Sequence, residues 1–332
     1  MNPYWGKNFF SFFGVLFSRF AQWLRGDLPL DQLASDEIQL LVLTGVALSS
    51  ALVGTFLVLK RMTMLANSLS HTILFGIVLA YLITLPFASD GAFALNLPIL
   101  LFASLLTALL TTFLTQFLTQ FLKLQEDASI GLVFTTLFAL GVVLVTLYTR
   151  NTHLGTEVVM GNVDALHVDD LKLISVVFLG NLAITGLFYK EFKVTAFDGM
   201  LAKSLGIRVS FFHALLMIQT AATAIGAFRA VGVLLMLAFL VGPVISARLL
   251  THHLPRLILL AIGLGVLCSV AGVALSRHIL SVYQVPLSTA GLVVSLISLT
   301  YVLVILSWTF RRSRCYTREL RGDDGKKNCN SG

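Results

Sequence analysis

The chain has 332 residues, of which 57% are hydrophobic and only 12% are charged, and its formal net charge is +7. Its mean hydropathy of +0.90 leaves more apolar surface than a soluble protein of this length could bury, which excludes a soluble globular protein. The positive charge is typical of basic cytoplasmic loops in a membrane protein, so we predict contact with membrane lipid and no nucleic-acid partner.

The N-terminal region, residues 1–37, contains an apolar run from Phe9 to Leu24 that is interrupted by Arg19. Its polar residues recur at helical spacing, which predicts an amphipathic helix lying in the membrane interface. An additional spanning helix is the alternative. No small-residue cleavage site follows the run, so a signal peptide is not expected.

The transmembrane region, residues 38–310, contains about nine apolar stretches close to the ~20 residues that cross a bilayer, and eight to ten are possible. The predicted spans are Ile38–Leu59, Met64–Pro86, Leu97–Leu118, Ala128–Tyr148, Leu171–Tyr189, Phe211–Phe228, Ala230–Leu250, Leu257–Ser276 and Leu287–Phe310. A tight turn near Arg229 is expected to separate the sixth span from the seventh. The sequence therefore predicts an all-α polytopic membrane protein.

Lysine and arginine are concentrated after the first, fifth, seventh and ninth spans. Because basic residues in short loops remain in the cytoplasm, these loops and the C-terminus are predicted to be cytoplasmic. The basic tail, residues 311–332, is expected to lie at the membrane surface.

The chain shows no obvious energy source of its own. It lacks the G-x-x-x-x-G-K-[ST] phosphate loop, so it is not expected to hydrolyse ATP, and no Asp or Glu lies deep within a span to act as a proton relay. The predicted cytoplasmic loop at residues 190–210 is unusual because Asp198 and Gly206 can cap a short helix. That helix presents Met200, Leu201 and Leu205, and it either lies on the membrane or docks into a separate ATPase.

Few polar groups within the predicted spans could bind a cargo. His71 and Asn67 are four residues apart on one helix face, and His71 lies ~15 Å beyond Arg61, near the middle of the core. Imidazole binds ions such as zinc, iron and manganese, although a histidine hydrogen-bonded inside the bundle is an equal alternative.

Four further polar residues and one Gly-Pro pair are also candidate functional residues. Gln116, Gln120, Asn181 and Gln219 are expected to form hydrogen bonds between helices. Gly242 and Pro243 interrupt an apolar span, where they mark either a gate or a structural kink.

Four segments resemble the permease subunits of bacterial manganese, zinc and iron ABC importers. They are GTFLVLKRMTMLANSLSHTILFGIVLAYL, EDASIGLVFTTLFALGVVLV, FDGMLAKSLGI and AVGVLLMLAFLVGPVISARLL, and they occur in the family's order between about residues 40 and 310.

This resemblance implies a fold like that of the cobalamin and siderophore importers, in the bacterial inner membrane. It also implies a second permease subunit, cytosolic ABC ATPases and an extracytoplasmic metal-binding lipoprotein. The segment Asp198–Gly206, with Met200, Leu201, Ala202 and Leu205, would be the coupling helix. His71 would be the leading metal ligand, and the metal ion would be cargo, with no tightly bound cofactor.

One position departs from the family pattern, which has aspartate where this chain has Asn67. An amide does not neutralise the charge of a cation, so either a different permease subunit supplies the carboxylate or Asn67 is a weak carbonyl ligand. An ABC permease for a metal chelate, such as haem or a siderophore, and a secondary metal-ion carrier are the alternative functions.

Overall fold

The computed structural model describes residues 4, 9–25, 33–84, 97–148 and 163–320, and within these ranges the chain is helical, with no β-strand. The helices in chain order are α1 (Phe9–Leu24), α2 (Ser35–Leu59), α3 (Thr63–Thr84), α4 (Leu97–Phe121), α5 (Glu126–Tyr148), α6 (Val168–Leu187), α7 (Tyr189–Phe197), α8 (Gly199–Ser204), α9 (Val209–Leu250), α10 (Leu254–Tyr283) and α11 (Thr289–Leu320). A short 3-10 turn, Val163–Ala165, precedes α6.

Seven helical segments in the described ranges are long and apolar enough to cross a membrane. They are α2, α5, α6, the two halves of α9, α10 and the first part of α11. The helices α3 and α4, of 22 and 25 residues, occupy the other two predicted spans. Helices suit these sequences because a backbone in lipid must satisfy its hydrogen bonds internally. The prediction of an all-helical protein is therefore confirmed.

The predicted separation of the sixth and seventh spans is confirmed, and the backbone break lies three residues after Arg229. Helical structure continues past Arg229, and the break within α9 lies at Gly232, whose φ of 78° and ψ of 169° are not helical. Glycine adopts this conformation at little cost because it has no Cβ atom. At the other end of the chain, α11 continues to Leu320, ten residues beyond the expected end of the membrane region.

The chain forms two compact units. The first contains residues 1–55, 163–168 and 238–332, and the second contains residues 56–162 and 169–237. The first unit thus includes α1, most of α2, the end of α9, α10 and α11, and the second includes α3 to α8 and most of α9.

Small residues allow the helices of the first unit to pack closely. A Cβ atom added to Gly265 of α10 would lie 3.2 Å from the Cβ atom of Ala47 on α2. Ala261 and Ser269, one turn on either side of Gly265, are fully buried. A closer approach occurs at Gly54, where an added Cβ would lie 2.1 Å from the backbone oxygen of Leu240. Small residues at this spacing permit such contacts between spans.

Polar side chains connect α6 to α9 in the second unit. The Asn181 side chain donates to the Thr223 hydroxyl at 2.7 Å, and the Gln219 side chain donates to the Thr185 hydroxyl at 3.2 Å. These bonds confirm the prediction for Asn181 and Gln219. Gln116 differs, because its buried Nε2 atom has no hydrogen-bond partner.

Candidate metal pathway and coupling surface

The candidate metal ligands lie on α3, which packs against both α4 and α5. The Thr111 hydroxyl of α4 donates to the Thr72 hydroxyl of α3 at 3.3 Å. One turn further along, a Cβ atom on Gly76 would lie 2.2 Å from the Thr107 hydroxyl. These contacts fix the rotation of α3 against α4 and therefore the direction of the neighbouring residue, His71.

The His71 ring packs against two aromatic rings of α5. Its centroid lies 5.4 Å from the centroids of both Phe134 and Phe138. The imidazole is half-buried, whereas Asn67, one turn earlier, is exposed. The Asn67 side chain is thus exposed on α3, while the His71 ring is oriented by aromatic packing.

One further polar atom lies beside this pair. The Ser68 side chain is buried, and its hydroxyl oxygen has no hydrogen-bond partner. A buried hydroxyl without a hydrogen-bond partner is unfavourable in a membrane span, unless it forms a hydrogen bond in another conformation of the protein. It marks this turn of α3 as a place where a polar ligand or water could be accepted.

The described ranges contain no group of three or more His, Cys, Asp and Glu side chains able to hold a metal ion. A closed structural zinc site has four protein ligands. His71 and Asn67 are two side chains on one helix, and their role as metal ligands stays a prediction.

The short helix α8 is capped at both ends as the sequence predicts. The Asp198 carboxylate accepts hydrogen bonds from the backbone N–H groups of Met200, at 2.8 Å, and Leu201, at 3.1 Å. At the other end, Gly206 has a φ of 77°, and the N–H of Ile207 donates to the Ala202 carbonyl at 2.9 Å. This pair of caps defines a helix of only six residues.

Helix α8 and its C-terminal cap expose three large apolar side chains, next to the exposed polar residues Lys203 and Ser204. The side chains of Met200, Leu201 and Leu205 are 77%, 50% and 62% exposed, and Phe197, at the end of α7, is 60% exposed. Ala202 faces inward and is fully buried. An apolar surface of this size on a loop between spans is expected to be covered by another molecule.

Helix α7 was not predicted from the sequence, and it supports α8. Phe192 of α7 is fully buried, and its ring centroid lies 5.3 Å from that of Phe56 and 5.6 Å from that of Phe212. Phe188 also contacts Phe212, at 5.6 Å. The four-residue spacing of Phe188 and Phe192 was the signal that could have revealed this helix. These four phenylalanines, which we call the aromatic cluster, join α7 to the ends of α2 and α9.

The structure places Gly242 and Pro243 within the continuous second half of α9. The backbone break lies at Gly232 instead. A Cβ atom on Gly242 would lie 2.4 Å from a methyl carbon of Ile297 on α11. Gly242 therefore has a packing role, and a gate at this pair stays a prediction.

The sequence of this chain matches a known family of transport proteins. The model of the ABC 3 transport family matches residues 37–308. The chain belongs to this family and is a multi-pass membrane protein of the permease class.

Named relatives cover most of the chain. It is 42% identical over 306 residues to a "Probable metal transport system membrane protein" of Chlamydia trachomatis, covering 92% of this chain and 94% of that protein. It is 37% identical over 244 residues to the manganese transport system membrane protein MntD of Bacillus subtilis, covering 70% and 79%.

A solved structure shows the same fold. PsaBC from Streptococcus pneumoniae, in complex with Fab, matches with a TM-score of 0.67 and 24% identity, covering 86% of this chain and 95% of that chain.

Proposed function

We propose that the chain is the permease subunit of an ATP-driven importer of a divalent transition-metal ion, either manganese, zinc or iron, in the bacterial inner membrane. The named metal and manganese transport relatives support the cargo class. The transport family supports a permease role for the chain. Within the molecule, the observation that best supports this proposal is helix α8, which is capped at both ends and exposes apolar side chains.

Energy enters through α8. Its apolar side chains, Met200, Leu201 and Leu205, insert into a groove on a separate cytosolic ATPase. With α8 on the cytoplasmic side, the C-terminus is cytoplasmic as well. Because Phe192 anchors α7 to Phe56 of α2, movement of α8 on ATP binding is passed to the spans. The permease itself is not an enzyme and binds no resident cofactor.

The metal ion passes His71 on its way through the membrane. A second permease subunit, identical or related, faces the exposed Asn67 side of α3 and completes the ligand set. A related subunit that carries an aspartate would supply the charge that Asn67 lacks. An extracytoplasmic lipoprotein delivers the ion to the opposite face.

The test is ATP-dependent uptake by the complete complex in proteoliposomes, assayed for manganese, zinc and iron. Uptake of one ion that requires ATP supports the importer. Uptake without ATP would refute the ABC assignment, and uptake of only chelated metal would favour the chelate alternative. The double variant Met200→Ser, Leu205→Ser should lose ATP-dependent uptake and ATPase binding, whereas Leu234→Ser, an exposed position on α9, should retain ATPase binding.

A further inference from the structure

Helix α1 lies outside the segment that matches the transport family, yet it is attached firmly to the first unit. Arg19 forms an ion pair with Glu37 in the first turn of α2. The Tyr4 hydroxyl donates to the same carboxylate at 2.8 Å. At the start of α1, the Phe9 ring packs edge-on against the His278 ring of α10, with centroids 6.4 Å apart.

These contacts determine the direction of α1. Arg277 of α10 forms an ion pair with Asp36 of α2, so the last turns of α10 and the first turn of α2 lie side by side at one end of the first unit. The two attachment points of α1, at Phe9 and Arg19, are ten residues apart, which is ~15 Å along a helix. Their partners, His278 and Glu37, directly follow Arg277 and Asp36 in the chain. Helix α1 therefore crosses the end of the unit instead of running alongside its spans.

The side chains of α1 differ from one side of the helix to the other. Phe12 is buried, and the charged Arg19 points toward Glu37 in the protein. One exposed side is aromatic, with exposed fractions of 36% for Phe13, 77% for Phe17 and 48% for Phe20, whereas Ser11, Ser18 and Gln22 are exposed on another side. The Trp23 ring packs beside that of Phe20, with centroids 5.8 Å apart, and is 36% exposed. Aromatic side chains of this kind concentrate at the boundary between lipid headgroups and acyl chains.

We propose that α1 is a strap that binds the lipid bilayer surface through Phe13, Phe17, Phe20 and Trp23. The strap lies parallel to the membrane and holds the first turn of α2 and the last turns of α10 at the level of the lipid headgroups. The occupant of its aromatic face is lipid because both attachment points are at the ends of membrane spans. The exposed apolar side chains of α1 thus continue the lipid-facing surface of those spans. This inference does not depend on the identity of the transported ion.

Spin labels on the full-length permease test the proposal. Single cysteines at Phe13→Cys, Phe17→Cys and Phe20→Cys are introduced into a variant whose three native cysteines are replaced by alanine. The protein is reconstituted in nanodiscs of phosphatidylcholine and phosphatidylglycerol. Collision with oxygen, which concentrates in lipid, is compared with collision with a polar nickel chelate to give the depth of each label. Leu267→Cys, exposed in the middle of α10, provides the mid-membrane reference.

If α1 is a strap on the bilayer surface, the three labels should collide more with oxygen than with the chelate. Their depths should agree within about 3 Å and should all be shallower than that of Leu267→Cys. A spanning α1 would instead separate positions 13 and 20 by about 10 Å in depth, which would overturn the proposal. Greater collision with the chelate at all three positions would show a water-exposed helix and also overturn it. Low collision with both reagents would show that a protein partner covers this face in place of lipid, and it would also overturn the proposal.

Discussion

Removing the N-terminal cap of α8 should uncouple transport from ATP hydrolysis. In Asp198→Ala, the backbone N–H groups of Met200 and Leu201 lose the acceptor that lies 2.8 Å and 3.1 Å away. Loss of an N-cap costs about 1 kcal/mol, which lowers the equilibrium constant for forming the helix about fivefold. A helix of six residues has little stability of its own, so the full effect is expected.

The assay is metal uptake per ATP hydrolysed by the reconstituted complex, with Asp198→Asn as the matched variant. The asparagine side chain keeps an oxygen that can accept the same two bonds, so it should preserve most uptake. Asp198→Ala should lower uptake severalfold while the complex still assembles. The reasoning is refuted if alanine and asparagine behave alike, either because both retain full uptake or because both lose it.

Three further predictions concern packing and attachment. Gly54→Ala should destabilise the protein by about 1–3 kcal/mol in thermal unfolding, because its methyl group would overlap the Leu240 backbone, whereas Gly131→Ala has open space and should be neutral. Phe192→Ala should cost about 3–5 kcal/mol by leaving a cavity in the aromatic cluster, and Phe192→Leu should cost clearly less in the same assay. Glu37→Gln should increase the mobility of a spin label at Phe17→Cys, because it removes the charge that holds α1, and unchanged mobility would contradict that attachment.

Local sequence signals predicted the features that depend on neighbouring residues. The apolar stretches located the helices because span length is set by the bilayer. Asp198 and Gly206 located the ends of α8 because caps act within one turn. The break in α9 was predicted near Arg229, and it lies three residues further on because glycine adopts the non-helical backbone conformation found at Gly232.

Features that depend on which helices meet could not be predicted. Nothing near His71 in the sequence indicates that it packs against Phe134 and Phe138, because that contact requires α3 to lie beside α5. The ion pair of Asp36 with Arg277 joins residues 241 positions apart in the chain. The hydropathy pattern shows only that Asp36 and Arg277 are charged residues near the ends of spans. The packing of α2 against α10 is needed to show that the two charges neutralise each other.

The most direct test of the proposed function is total cellular manganese, iron, zinc, cobalt and copper in an importer-deficient host carrying the complete complex. The native chain is compared with His71→Ala and with the matched control His253→Ala, an exposed histidine beyond α9. We predict that one metal rises with the native chain and the control and returns to the host level with His71→Ala. If no metal changes although the complex assembles and hydrolyses ATP, import of a free metal ion is contradicted. If the metal rises equally with His71→Ala, the importer stands and His71 is not its ligand.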